Sequence, residues 1–356
     1  MLKFSVYDNG ELADDWPLRN AHLIGSDGSA VRAEIAFKND AIVIEKREHG
    51  PAAFALLQDV GDCGEVTLQT CLLPERDEPY LLSLELARHR MMTLYNKLED
   101  WGMMDIDREH PVTKRVELAK RLFIEALCYA QTDPGRSDKL SRDCLAIAVD
   151  GSEELALHHA ELLINKRKEG GTLPRHPIGA GIAPEFVNDR LRAGLANNLD
   201  FLSLPLPWRD LAVEENSYRW DKTDNWVEWA TRARLPIVGG PVVSFEPSQL
   251  PDWIYIWEHD FETVRDVVYE HIEAVVSRYR KRIVAWNVVS GLQVKRHFVL
   301  SFDQLLDLTR MAVMLVKKVQ PHARALVEIR EPFGEYYAQN QRSIPPMMYA
   351  DLLIQG

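Results

Sequence analysis

Arg282-Ile-Val-Ala-Trp-Asn-Val-Val-Ser-Gly291 is the stretch that decides the fold. Apolar side chains run almost unbroken from Ile283 to Val289, a short run rich in β-branched residues, as in a strand covered on both faces. Ser290-Gly291 closes it with small residues at an exposed tip. Immediately before it, His271-Ile-Glu-Ala-Val-Val-Ser-Arg-Tyr-Arg-Lys-Arg282 has amphipathic helical spacing and a basic end, which suits the negative pole of a helix carboxyl terminus. A helix feeding a buried strand is the repeating step of a parallel sheet.

The step recurs on both sides. Strands are expected at Ile178–Ile182, Leu199–Leu204, Leu235–Ser244, Ile283–Val289 and Arg324–Ile329. Helices are expected at Pro184–Asn197, Thr223–Arg234, Phe261–Arg280, Ser301–Val319 and Pro345–Ile354. Parallel strands need such crossovers, so the expected fold class is α/β. Residues 171–356 then read as the first five strand–helix units of a partial (β/α)8 TIM-type barrel.

The first half reads differently. Residues 1–78 carry short strands, among them Val31–Phe37, Ala41–Ile44, Ala52–Leu57 and Val66–Leu73, separated by turn signals such as Lys38-Asn39-Asp40. They suggest a small sandwich-like accessory domain, either structural or carbohydrate-binding. Residues 79–170 switch to helical periodicity, with helices over Leu81–Trp101, Val116–Cys128 and Lys139–Val149, and a fourth starting at Ser152 and stopped by Gly170-Gly171. The Met and Leu stripes of these helices read as bundle core.

Composition narrows the partners. The chain of 356 residues has 46% hydrophobic and 27% charged residues, ordinary for a globular protein. Its 42 basic and 54 acidic residues leave a net charge of −12, which gives it no electrostatic attraction to nucleic acid or an anionic membrane. Cys63, Cys71, Cys128 and Cys144 form no metal-binding spacing, and the adjacent His158 and His159 point to different helix faces, so neither a metal nor a cofactor is expected. The start, Met1-Leu-Lys-Phe-Ser-Val-Tyr-Asp8, has no signal-peptide pattern, and a cytoplasmic location with reduced thiols is the expectation. Nothing in these patterns bears on the oligomeric state.

Four pieces of the second half stand in a telling order. They are Phe201-Leu-Ser-Leu204; Gly239-Gly-Pro-Val-Val243 followed by Ser248-Gln-Leu-Pro-Asp-Trp253; Trp286-Asn-Val-Val-Ser-Gly291; and Pro321-His-Ala-Arg-Ala-Leu326. In this sequence they resemble glycoside hydrolase family 10, the xylanase-type barrels. There the third strand reads G-H-T-L-V-W-H with Q-L-P-x-W after it, the fourth W-D-V-V-N-E, and the entry to the fifth D-P-x-A-x-L. The resemblance implies a saccharide partner, a β-linked polysaccharide of xylan type.

It also implies losses. The final Glu of the fourth-strand motif is the family's general acid/base, and its place falls on Gly291, which has no proton to give. The neighbouring Asn that holds a sugar hydroxyl falls on Ser290, and the third-strand His on Gly240. The second-strand P-E-N-x-x-K-W cluster aligns with Leu206-Pro-Trp-Arg-Asp-Leu-Ala212 and is not reproduced. The family's nucleophile belongs to the seventh strand, beyond the five units read here.

Polar and aromatic residues remain where barrel sites form, at the carboxyl ends of strands. Candidate saccharide contacts are Trp208, Arg209, Asp210, Glu246, Trp253, Asn287, Ser290 and Tyr336. Glu331 and Glu335 are the candidates for a substitute acid/base pair, the opposing reading being a loop neutralised by Arg330 and Arg342. Seven of the nine tryptophans lie between Trp208 and Trp286, and Trp226 and Trp229, three apart on a helix, read as packing. Three functions stay open: a divergent carbohydrate hydrolase, a catalytically inactive saccharide binder, and a structural scaffold.

Overall fold

The computed structural model describes the chain apart from residues 48–49, 174–177, 186–187, 295–296, 332–333, 335–337, 339–342 and 356. It divides into two compact units, Met1–Leu173 with Gly334–Gln341 and Pro174–Phe333 with Arg342–Gly356.

The first unit holds two four-stranded sheets. One runs β10 (Tyr80–Leu81), β1 (Leu2–Ser5), β7 (Ala41–Lys46), β6 (Ala33–Lys38). The other runs β5 (Ala30–Val31), β4 (His22–Ile24), β8 (Ala53–Asp59), β9 (Glu65–Gln69), and β2 (Tyr7–Asp8) pairs separately with β3 (Glu11–Leu12). The turn from β6 to β7 has Asn39 and Asp40 both at positive φ, 52° and 58°, the conformation that a tight hairpin requires and that Asn and Asp tolerate. Phe4 of the first sheet meets Phe54 of the second at a ring separation of 5.2 Å, so both sheets close on one core.

That core continues into the helices α1 (Leu82–Asp100), α2 (Pro111–Tyr129) and α3 (Pro134–Glu169). Leu86, Leu94, Ala119 and Ala148 belong to the same buried cluster as Phe4 and Phe54, so the strands and helices of this half are packed as one body. Two of the expected helices are a single one. The 36-residue α3 passes straight through Gly151 and Ser152, where a new helix start was expected. The Ser152 hydroxyl donates back to the Ala148 carbonyl at 2.6 Å instead of capping, and Arg115 of α2 braces the join by pairing with Asp150 (2.6 Å) and with Glu154. Cys144 alone among the cysteines is fully buried, its thiol pushed up to about 12 by burial, whereas Cys128 is exposed.

The second unit is the α/β half. Its strands are β11 (Gly179–Gly181), β12 (Phe201–Leu204), β13 (Ile237–Gly239), β14 (Val243–Ser244), β15 (Ile283–Ser290) and β16 (Arg324–Glu328). They pair only in parallel, in the order β11, β12, β13, β15, β16, with β14 continuing the third strand position beside β15. A cis Gly240–Pro241 peptide separates β13 from β14. Gly240 has a φ of +126° and lies so close to the Asn287 carbonyl that a side chain there would collide with it. The intervening helices are α4 (Asp189–Asn198), the short α5 (Trp208–Leu211), α6 (Asp221–Arg232), α7 (Phe261–Tyr279) and α8 (Phe302–Val319), with α9 (Pro346–Gln355) last. Sequential, all-parallel strands with helices between them give this unit the architecture of a partial (β/α)8-type barrel. No helix among the described residues is long and apolar enough to cross a membrane.

Strand β15 is buried almost throughout, with Trp286 and Val288 at 0% exposure. Helices α7 and α8 cover it through Val268, Ile272, Leu308 and Leu315, all in its core cluster. The Trp286 indole donates to Gln320 Oε1 at 3.0 Å, and the same amide donates to the Ile283 carbonyl at 2.9 Å. Gln320 therefore ties the end of α8 to both the backbone and the largest side chain of β15. Gln320→Ala is expected to leave the buried indole N–H without an acceptor and to lower unfolding stability by about 1–3 kcal/mol, as read by urea denaturation followed through tryptophan fluorescence.

Candidate functional site

The carboxyl end of β15 determines what its neighbours can do. Ser290 is buried, and the chain then turns at Gly291 with a φ of +64°. Only glycine adopts that conformation without a penalty, about 1–2 kcal/mol for most other residues. The turn is held by the Gly291 N–H donating to the Glu328 carbonyl at 2.9 Å, at the end of β16. A Cβ built on Gly291 would lie 2.7 Å from Cδ of Arg330, so the arginine's aliphatic run fills the direction in which a side chain would leave.

Arg330 is fixed at both ends. Its guanidinium Nη1 lies 3.2 Å from Glu246 Oε1, just after β14, and its carbonyl accepts from Gln293 Nε2 at 2.6 Å. The Glu246 side chain is only 14% exposed, so this pair is drier than an ordinary surface ion pair. Asn287, on the middle of β15, donates from Nδ2 to Glu328 Oε2 at 2.6 Å, while its own Oδ1 is buried without a partner among the described residues. Gln293 Oε1 is buried and unpartnered in the same way. The site thus combines one ion pair, one amide–carboxylate bond and two amide oxygens with unused acceptor capacity.

Several sequence candidates converge here and others do not. Glu246, Asn287 and Ser290 belong to this strand-end cluster. Glu331 follows directly after Arg330 with a positive φ of 51°. Arg330 pairs across the sheet with Glu246, where the opposing sequence reading had it neutralise its own loop. Glu335, Tyr336 and Arg342 lie outside the described residues. Arg209 is on the surface beside Asp252, at 3.4 Å. Asp210 is exposed and lines a separate cleft of about 240 Å³ with Glu185, Arg219 and Lys222.

The two tryptophan candidates are packed. Trp208 is 2% exposed, and its ring stacks on His271 at 4.2 Å and 11°, so that face is already occupied by a side chain. A stacking role for Trp208 is therefore corrected to a core role. Trp253 is half-buried, edge-on to Trp208 at 5.9 Å, and its indole donates to the Ala212 carbonyl at 2.9 Å. Trp226 and Trp229 meet edge to face at 5.4 Å and pack as read.

His271 and Tyr218 went unnoticed in the sequence, because a histidine on an amphipathic helix carries no local mark of its partners. His271 Nε2 faces the Val242 carbonyl at 3.2 Å and so carries the proton, leaving Nδ1 to accept from the Tyr218 hydroxyl at 3.1 Å. Burial lowers the imidazole to about 3, the hydrogen bond to Val242 opposing that shift. Burial, then Glu270, pushes the Tyr218 phenol up to about 12. Both rings are neutral across the physiological range and act as a structural wedge behind β14.

The fold and site define a (β/α)-barrel protein whose polar side chains gather at the carboxyl ends of its strands. Part of its barrel half is similar to glycosyl hydrolase family 10. The sequence model of Glycosyl hydrolase family 10 matches residues 205–296, from the tip of β12 past the Gly291 turn. Endo-1,4-beta-xylanase B of Thermotoga neapolitana is 28% identical over 85 residues, 24% of each chain. Endo-1,4-beta-xylanase A of Xylanibacter ruminicola is 33% identical over 81 residues, 22% of this chain and 21% of the relative. Among solved structures, the native xylanase 10B from Thermotoga maritima aligns at a TM-score of 0.38 and 19% identity, covering 50% of this chain and 56% of that one. The matches span less than a quarter of the length of these curated relatives.

The wedge generates a pH prediction. His271 stays neutral in the fold down to about 3, whereas the unfolded chain protonates it near 6.5. Its stabilising contribution is fully present above pH 6.5 and is lost as the pH falls from there towards 3. Wild type should therefore lose about 1.4 kcal/mol per pH unit more than His271→Phe across that window. Urea unfolding at a series of pH values checks it, and parallel curves for the two proteins would contradict it.

Proposed function

We propose that this chain is a divergent relative of family 10 that binds a β-1,4-linked saccharide of xylan type and does not cleave it by the family's acid/base step. One observation carries the reading: Gly291, where the family resemblance expects the acid/base glutamate, is a positive-φ turn with Arg330 lying across its side-chain direction. Proton transfer by a positioned acid is worth roughly 10²–10⁴-fold. Glycine cannot supply it, and the nearby Arg330 is a permanent cation. The ligand class follows from the curated relatives, which are named endo-1,4-beta-xylanases. The amide oxygens of Asn287 and Gln293 and the carboxylates of Glu246 and Glu328 are acceptors suited to sugar hydroxyls.

A second reading keeps hydrolysis. It rests on Glu246 and Glu328 ending neighbouring strand positions, where one could serve as a relocated acid or base. Glu331, close to Glu328 in sequence, is a weaker candidate for the same role.

The purified chain is expected to release no reducing sugar from xylan and no phenol from an aryl β-xyloside, while xylotetraose gives a saturable heat in titration calorimetry. Gly291→Glu alone is expected to lower stability by about 1–2 kcal/mol, from the backbone conformation, without restoring turnover. Turnover abolished by Glu246→Gln or Glu328→Gln would replace the binder with the relocated-carboxylate enzyme. Absence of both turnover and xylotetraose binding would leave the scaffold reading.

A further inference from the structure

Helix α3 outruns the core that it belongs to. Its last buried residue is Leu155, and every residue from Ala156 to Glu169 is partly or fully exposed. One side of this segment still packs against its own unit: the His159 ring stacks on Trp101 at 4.4 Å and 9°, and His158 meets His110 at 4.5 Å. Another side carries large apolar groups into solvent. Leu157 is 66% exposed, Leu163 40% and Ile164 44%.

At about 100° per residue, Ala156, Leu157, Ala160, Leu163 and Ile164 form one stripe centred on Ala160, and both histidines point away from it. Glu153 and Arg167, both exposed, lie near the centre line of the stripe at its two ends. Whatever covers this face must therefore match an apolar middle, an acid at one end and a base at the other.

The stripe itself has that pattern in reverse. Laid antiparallel against a second copy, Glu153 comes level with the copy's Arg167, Ala156 with its Ile164, Leu157 with its Leu163, and Ala160 with its Ala160. Small residues meet at the centre, where the two backbones come closest. A parallel pairing in register would set Glu153 against Glu153 and Arg167 against Arg167, so the charges select the antiparallel one. One patch that complements itself is what an isologous two-fold interface requires.

We propose that this face of α3 is a homodimer contact, independent of the barrel reading, in which two antiparallel copies meet about a two-fold axis between their Ala160 residues. The paired stretch from Glu153 to Arg167 is about 22 Å long. It falls at the small end of specific interfaces, below about 1,200 Å² in total, so the dimer is weak and concentration-dependent.

Sedimentation velocity on the full chain, at concentrations up to about 1 mM, is expected to show a shift from monomer to dimer. Leu157→Glu should weaken the dimer about tenfold or more. Arg167→Glu and Glu153→Arg should each weaken it, and the double swap should restore it. Glu153 also lies within electrostatic reach of Arg90 in its own chain, so a second arm avoids charge. In a Cys128→Ser background, which removes the exposed native thiol, Ala160→Cys should form a covalent dimer on air oxidation, whereas Asn165→Cys, on the far side of the helix, should not. A chain that stays monomeric at every concentration overturns the proposal. So does a dimer indifferent to Leu157→Glu, or one that crosslinks through Asn165→Cys and not through Ala160→Cys.

Discussion

Strand β15 is the constraint from which the barrel half follows. It pairs with β13 and β14 on one side and β16 on the other, and it packs its large side chains against α7 and α8. A strand enclosed in this way has no freedom of register, because a one-residue slip would exchange the side chains of its two packed faces. Its carboxyl end must therefore emerge at a fixed point, and there the backbone turns through Gly291 in a conformation closed to most residues. Arg330 lies in the space that the missing side chain leaves, and Glu246 neutralises it from the neighbouring strand position. Backbone geometry, cation and carboxylate are one linked arrangement.

That linkage separates scaffold from chemistry. The parallel order and the crossovers are what a barrel needs, and they are kept. The polar groups at the strand ends are satisfied mainly by one another: Asn287 by Glu328, Glu246 by Arg330, and the Arg330 carbonyl by Gln293. The carboxylates of Glu246 and Glu328 both have protein partners here. The fold alone does not specify a chemistry.

The first half shows a different economy. Strands and helices that look like separate segments share one core, and α3 runs unbroken through Gly151-Ser152 because Arg115 bridges its two flanking acids. The same packing that unites them leaves the Trp16 indole nitrogen and the Ser83 hydroxyl buried with no partner among the described residues. Cores usually avoid such groups, so these two stand out from the close packing around them.

What the sequence by itself determined was everything written in short-range periodicity. Apolar runs, helical spacing and turn residues such as Asn39-Asp40 located the longer strands and helices, α3 excepted, which reads as two, and their alternation after residue 177 required a parallel sheet. That the residue closing strand β15 is a glycine was likewise legible, since it needs only the residue's identity. Tertiary structure decided the rest, because it depends on groups far apart in the chain. Trp208 looked like a stacking platform until His271, 63 positions away by numbering, was found against its face. Arg330 looked like a counter-ion for its own loop until β14 brought Glu246 within 3.2 Å. Side-chain partners across a sheet are set by register and packing, and neither leaves a local trace in the order of residues.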